Sequence, residues 1–220
     1  MAKPAAKSQS GAAVEAPDFI FDGPKSAKLT LILAHGAGAA MDSPFMETIA
    51  KGLAEEGIRV ARFEFPYMAE RRRTGKKRPP DSANTLLNTF RAAAAAMNGK
   101  LFAVGGKSMG GRIASMVADE VGAAALVCLG YPFHPPGKPN AARTEHLQRL
   151  TTPTLILQGT RDPFGGRDEV KALTLSKKIK VHFLDDGEHS FKPRKSPGRS
   201  EQQNLEEAVS EAAAFLHKVG

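Results

Sequence analysis

Short apolar runs recur along the whole 220-residue chain, and segments of helical habit lie between them. Six runs are rich in β-branched or aromatic residues: KLTLILA (28–34), RVARFEF (59–65), LFAVGG (101–106), AALVCLG (124–130), TLILQG (154–159) and KVHFLDD (180–186). DFIFD (18–22) is a further candidate for an edge strand. Runs that are apolar almost throughout leave no face suited to water, so the sheet they form must be covered on both sides. Alternation with helices makes that sheet mostly parallel and doubly wound, an α/β fold. The helical segments are SPFMETIAKGLAEEG, DSANTLLNTFRAAAAAM, SMGGRIASMVADEV, RDEVKALTLSKK and EQQNLEEAVSEAAAFLHKV. The first opens with Ser43 as a cap, Pro44 at the first helical position and Glu47 in the first turn, a pattern that starts helices.

The length suits one domain. We expect it over 18–220, behind a mobile tail over 1–17 that is rich in Ala, Lys, Ser and Pro. No run reaches the roughly 18 apolar residues that crossing a bilayer requires, and the tail has no apolar block of signal-peptide length. The expectation is a cytoplasmic protein without membrane insertion. The single cysteine, Cys128, excludes an internal disulfide and sits in an apolar run as a small hydrophobe. A net charge of +8 raises the question of nucleic acid. That charge is concentrated in RRRTGKKRPP (71–80) and KPRKSPGR (192–199), read as loops with no interleaved aromatics for base stacking. Nucleic-acid binding is therefore not expected as the main role.

Ligands of such sheets sit at the carboxyl ends of the strands. There the chain places HGAG after the first long strand, KSMGG after the third, TRDPFG after the fifth and GEHSF after the sixth. GGKSMGG contains Gly106-Lys107-Ser108-Met109-Gly110, a G-x-S-x-G between a strand and a helix. A nucleophile on so sharp a turn needs glycine on either side, because neighbouring backbone passes too close for side chains. The embedded GKS imitates the end of a phosphate-binding loop, but that loop needs glycine at 101, where Leu101 stands. A serine hydroxyl requires a base, and the base an orienting acid. His189 and Asp162 supply them, each just beyond a strand, in the chain order Ser108, Asp162, His189. His182, His217, Asp185 and Asp186 are weaker candidates by position. No pattern of paired His or Cys suggests a metal, and no cofactor is implied.

LTLILAHGAGAAMDSP (29–44) also resembles the start of a dinucleotide-binding loop. Met41 stands where that fingerprint needs a third small residue, although Glu64 imitates its ribose-binding acid. Given the triad, the simpler account makes His35-Gly36-Ala37-Gly38 an oxyanion loop. The backbone N–H groups of Ala37 and Met109 would then meet the developing alkoxide, with His35 bracing the loop.

These residues bring the chain into resemblance with the α/β-hydrolase superfamily from about residue 18 onward. LAHGAG, FEFPYM, GGKSMGGR, LGYPFHPPGKP, RTEHL, QGTRDPFG and DGEHSF resemble more narrowly its KANSL3/Tex30-type branch, related to dienelactone hydrolase-like proteins. The resemblance implies an α/β-hydrolase fold and a Ser-Asp-His site at Ser108, Asp162 and His189. Dienelactone hydrolases proper use a cysteine nucleophile where this chain has Ser108, which argues against carrying that activity over. Some eukaryotic relatives act as scaffolds in chromatin complexes, so a binding protein is the rival reading, and acyl transfer through the same triad a third.

The connection YPFHPPGKPNAARTEHLQRLTTP has room for a loop and one short helix, not a cap domain. The site should be open, bordered by Tyr67, Met68, Phe133 and Phe164, with His35 and Gly36 also near substrate. Arg143 and His146 are candidates for its mouth. The basic run 71–78 comes after a strand closely enough to rim the cleft. In that position it would steer anionic esters or thioesters inward.

Overall fold

The computed structural model describes residues 15–138, 140, 143–194 and 198–220; most of the expected N-terminal tail therefore lies outside the described residues. Seven strands form one sheet in the order β1-β3-β2-β4-β5-β6-β7. They are β1 (Phe19–Asp22), β2 (Thr30–Ala34), β3 (Arg59–Phe63), β4 (Phe102–Lys107), β5 (Leu126–Leu129), β6 (Thr154–Gly159) and β7 (Ile179–Leu184). Six run parallel, while β1 pairs antiparallel with β3, Phe19 facing Phe63 in register. The residues of β2 and β6 are buried throughout, as continuous apolar strands covered on both faces must be.

Helices α1 (Pro44–Glu55) and α6 (Glu201–Leu216) cover one face. Met46, Ile49 and Leu53 of α1 pack with Leu205, Ala208 and Leu216 of α6 over Leu31, Leu33 and Val127. On the other face α3 (Ala83–Ala95) and α4 (Met109–Val117) lay Phe90 and Ile113 over Ile32, Val104 and Cys128. Cys128 is fully buried, and burial alone drives its thiol pKa well above the ordinary range, which leaves an unreactive core residue. Helix α6 begins in a capping box, Ser200 Oγ accepting from Gln203 N while Gln203 Oε1 accepts from Ser200 N. Ser43 precedes α1 as expected, but its hydroxyl makes no cap bond and is buried without a partner; Pro44, which lacks an N–H, starts that helix.

Two segments depart from the sequence reading. Residues 66–74 form helix α2 (Pro66–Thr74), so Arg71, Arg72 and Arg73 lie in a last helical turn rather than a loop. Only Tyr67 and Met68 of α2 are buried, so it carries no apolar stripe to read. Its support comes from Pro66 at the start, three cations at the negative end of the helix dipole and Gly75 in the left-handed region (φ 72°). Conversely, α5 stops after Arg167–Lys171. Ser176 donates from its N to Leu147 O and from Oγ to Leu150 O, which draws the chain out of the helix and into β7.

Strand order reverses between β2 and β4, and the loops after these two strands therefore open at the switch point of the sheet, where ligands of doubly wound folds bind. Between β5 and β6 the described residues hold one 3-10 turn, Glu145–Gln148, and no domain is inserted.

Candidate active site

Ser108 lies between the end of β4 and the start of α4 with φ 52° and ψ −116°, a strained conformation for a residue bearing a side chain. Close packing of β2 against this turn enforces it. A Cβ at Gly106 would stand 2.5 Å from Gly110 C, and one at Gly110 would stand 2.5 Å from His35 O and 2.6 Å from Ala34 O. These atoms are backbone and cannot swing aside, so the two glycines of the pentapeptide are steric necessities.

The loops after β6 and β7 bring the two partners to this turn. His189 Nε2 stands 2.8 Å from Ser108 Oγ, and His189 Nδ1 stands 2.8 Å from Asp162 Oδ2. Asp162 is buried and accepts two further hydrogen bonds, from Phe164 N at 2.8 Å and Gln158 Nε2 at 2.9 Å. Those donors leave the carboxylate one orientation, toward the imidazole. The ring of Phe164 lies 4.2 Å from that of His189, centroid to centroid, and shields it on one side. Ser108 is partly exposed, so its hydroxyl can be reached from solvent.

On the other side of the switch point, Ala37, Gly38 and Ala39 are exposed after β2, while His35 and Gly36 are buried. Among the described residues the N–H groups of Ala37 and Met109 have no acceptor, Met109 because it is the first residue of α4. His35 is fully buried, and both its ring nitrogens bond to backbone. Its Nε2 accepts from Phe65 N at 3.1 Å, which fixes the proton on Nδ1, and Nδ1 donates to Gly36 O at 2.7 Å. Burial lowers its pKa, in keeping with a neutral brace. Gly36 is buried beneath the loop, its missing side chain facing Lys107 and Ser108.

The expected border residues separate into three roles. Tyr67 is buried, and its hydroxyl lies 3.0 Å from Ala37 O and 3.2 Å from Gly36 O, so it braces the loop from below. Phe133 is a core residue packed under Gly165 and against Tyr131, and not part of the site surface. Met68 lines a recess of about 290 Å³ beside Gly38, Ala39 and Ala40, which Arg71 also enters. Arg72 at that recess is held by Glu64 and Asp42, and Arg73 pairs with Glu70. Of the three arginines only Arg71 both lines the recess and lacks a carboxylate partner among the described residues.

Two polar residues missed in the sequence reading support the Ser108–His189–Asp162 arrangement. Gln158 ends the apolar run of β6 fully buried. Its amide reaches Asp162 Oδ2, Tyr131 O and Gly165 O, while Tyr131 N donates to its Oε1 at 2.7 Å. Lys107 is buried beside Ser108 and donates from Nζ to His189 O at 2.6 Å. Burial lowers its pKa to about 8, against the raising influence of Asp162 and Glu188. The signal for both was a polar residue at the carboxyl end of an otherwise apolar strand.

A second serine–histidine pair lies elsewhere. Ser115 Oγ donates to Arg112 O at 2.7 Å, so at its 2.8 Å approach to His146 Nε2 it accepts a hydrogen bond from the ring N–H. That direction is the reverse of what a nucleophile needs, and among the described residues no carboxylate bonds the other ring nitrogen. Arg143 and His146, expected near the mouth, belong to this group, and His182 pairs with Glu207 of α6.

The family described as "Alpha/beta hydrolase domain" matches residues 27–217. The chain belongs to it. Among solved structures, this α/β hydrolase is similar to an a/b serine hydrolase without lid from Xanthomonas campestris, at 18% identity over 98% of this chain and 97% of that one, TM-score 0.70. It is also similar to Est1E from Butyrivibrio proteoclasticus, described with ferulic acid bound, at 14% identity over 92% and 94% of the two chains, TM-score 0.70. A dienelactone hydrolase from Anabaena variabilis shares 21% identity over 90% of each chain, TM-score 0.68. At these identities the likeness is one of fold. Among the described residues no helix is long and apolar enough to cross a membrane.

Proposed function

We propose that this α/β hydrolase cleaves a carboxylic ester or thioester through an acyl-enzyme on Ser108. The observation that carries the reading is the unbroken relay of two 2.8 Å hydrogen bonds from Ser108 Oγ through His189 to Asp162. Ser108 Oγ attacks the carbonyl carbon while His189 Nε2 takes the hydroxyl proton, and Asp162 holds the imidazole in the tautomer this requires. The negative charge formed on the carbonyl oxygen is met by the N–H group of Ala37 in the loop after β2 and by that of Met109 at the positive end of α4. Collapse of the tetrahedral adduct breaks the bond to the alkoxide or thiolate, which leaves with the proton held by His189. Water then repeats the sequence on the acyl-enzyme and restores Ser108.

Arg71, in the recess beside the oxyanion loop, supports substrates that carry a distal carboxylate or phosphate. The motifs shared with the KANSL3/Tex30-type branch favour placing the chain there within its family. Incubation with a fluorophosphonate and subsequent mass mapping tests the reading. We expect a label on Ser108 in the folded wild type and none in Ser108→Ala; a folded, unlabelled wild type would overturn it. A series of p-nitrophenyl esters graded by chain length then narrows the acyl group.

A further inference from the structure

Two sequence motifs that the triad does not use, the arginine of GGKSMGGR and the RTEHL segment, meet on the flank of α4. Arg112 and Asp119, on and just beyond that helix, face Arg143, Glu145, His146 and Arg149 of the β5–β6 connection across a cavity of about 600 Å³. That volume lies within the roughly 300–1,000 Å³ usual for small-molecule clefts. No residue of the triad or the oxyanion loop lines it.

Its charge is unbalanced. The ion pairs among the described residues leave Arg112, Arg143 and Arg149 without a carboxylate partner. Arg112 Nε is moreover buried with no hydrogen-bond acceptor among the described residues. Asp119 is turned to the next loop, where its Oδ1 accepts from Thr152 N at 2.7 Å and Thr152 Oγ1 at 2.6 Å, and its Oδ2 from Thr151 N at 3.0 Å. His146 is a neutral ring donating to Ser115, its pKa lowered by burial and by Arg112. Three guanidiniums thus face one uncommitted carboxylate, Glu145. A guanidinium presents a planar fork of N–H groups that matches carboxylate and phosphate oxygens in pairs.

We propose that this cavity is a binding site for a small, multiply charged oxyanion, held by Arg112, Arg143 and Arg149 and separate from the Ser108 centre. The site is independent of the hydrolase reading, since it shares none of its residues. Titration calorimetry with inorganic pyrophosphate, and separately with citrate, tests it on the full chain. Saturable binding of either anion is expected, weaker at higher salt because exposed charges are screened. Tighter pyrophosphate points to phosphate esters and tighter citrate to polycarboxylates. Arg149→Gln should weaken binding about tenfold, and the Arg143→Gln/Arg149→Gln pair further, because each removes charge-assisted hydrogen bonds. Both side chains are exposed, so neither change threatens the fold. Ser108→Ala should keep full affinity, which separates failure here from failure of the catalytic assignment. Amide NMR perturbations should centre on 112–119 and 143–150. No saturable binding by either anion would overturn the proposal, as would undiminished binding by the double variant or perturbations centred on the basic segment around Lys192 and Arg194.

Discussion

Lys107 ends β4 with its ammonium group buried against the carbonyl of His189 at 2.6 Å, and the consequences of removing it can be worked out with their signs. Burial lowers its pKa from 10.5 to about 8. At about 1.4 kcal/mol for each tenfold change in proton affinity, the charged form opposes folding by roughly 3 kcal/mol at pH 7. The folded protein releases this proton at lower pH than the unfolded chain does. Between pH 8 and 10.5 the unfolded state therefore holds more protons, and stability rises with pH across that window. Lys107→Met keeps the bulk and removes the charge, but leaves His189 O without its donor, which costs about 1–3 kcal/mol. At pH 7 the variant should thus be more stable than the wild type by up to about 2 kcal/mol. Near pH 10.5 the wild-type amine is neutral and still donates, so the variant should there be the less stable by about 1–3 kcal/mol. Urea unfolding of both proteins at the two pH values measures the difference, and titrating groups not coupled to Lys107 cancel in it. A stability difference that does not move with pH would refute the reasoning. With the His189 loop released, kcat on a p-nitrophenyl ester should fall about tenfold or more. The substitution would thereby separate what stabilises this hydrolase from what makes it work.

Gly110→Ala drives a Cβ to 2.5 Å from His35 O. It should cost about 3 kcal/mol or more, seen as a melting temperature lower by roughly 6–12 °C; an unchanged melting curve would contradict the packing argument. Tyr67→Phe removes the hydroxyl that braces Gly36 O and Ala37 O. It should lower kcat with little change in KM; a change confined to KM would mean that Tyr67 serves ground-state binding instead. Asp162→Asn should leave the fold intact but reduce kcat by about 10⁴, because the imidazole loses the acceptor that sets its tautomer; retained activity would remove Asp162 from the triad. For Arg71→Gln, the salt dependence of kcat/KM on an ester with a distal carboxylate should fall to that of its uncharged analogue, and a persisting difference would place the steering charge elsewhere.

The interior strands were legible because each is apolar for longer than half-exposed pairing would allow, and the meeting of Ser108, Asp162 and His189 because each follows such a strand. His35 and Tyr67 were legible as residues near the site but not in their roles. A histidine beside a glycine-rich loop reads alike whether it touches substrate or braces the backbone, and only the Phe65 N–H at 3.1 Å decides for the brace. Phe133 read as a possible wall because aromatic residues suit cores and pockets equally. Helix α2 was hidden because two buried residues do not make a period. The shortness of α5 was hidden because Ser176 bonds to Leu147 and Leu150, residues distant in sequence. Gln158 and Lys107 escaped for a related reason. Lys107 bonds to the loop after β7, and Gln158 ties the loop after β5 to the loop after its own strand, so their work depends on the fold that the apolar residues around them create.

The brevity of the chain between β5 and β6 also bears on the fate of an acyl-enzyme. Among the described residues nothing inserted there covers Ser108, which is partly exposed, so an acyl group on it would form within reach of water. Water at its full concentration then outcompetes a dilute second acceptor, which inclines such a centre to hydrolysis over transfer. An approach left open by the described residues would suit an ester carried at the end of a polymer as well as a free small one.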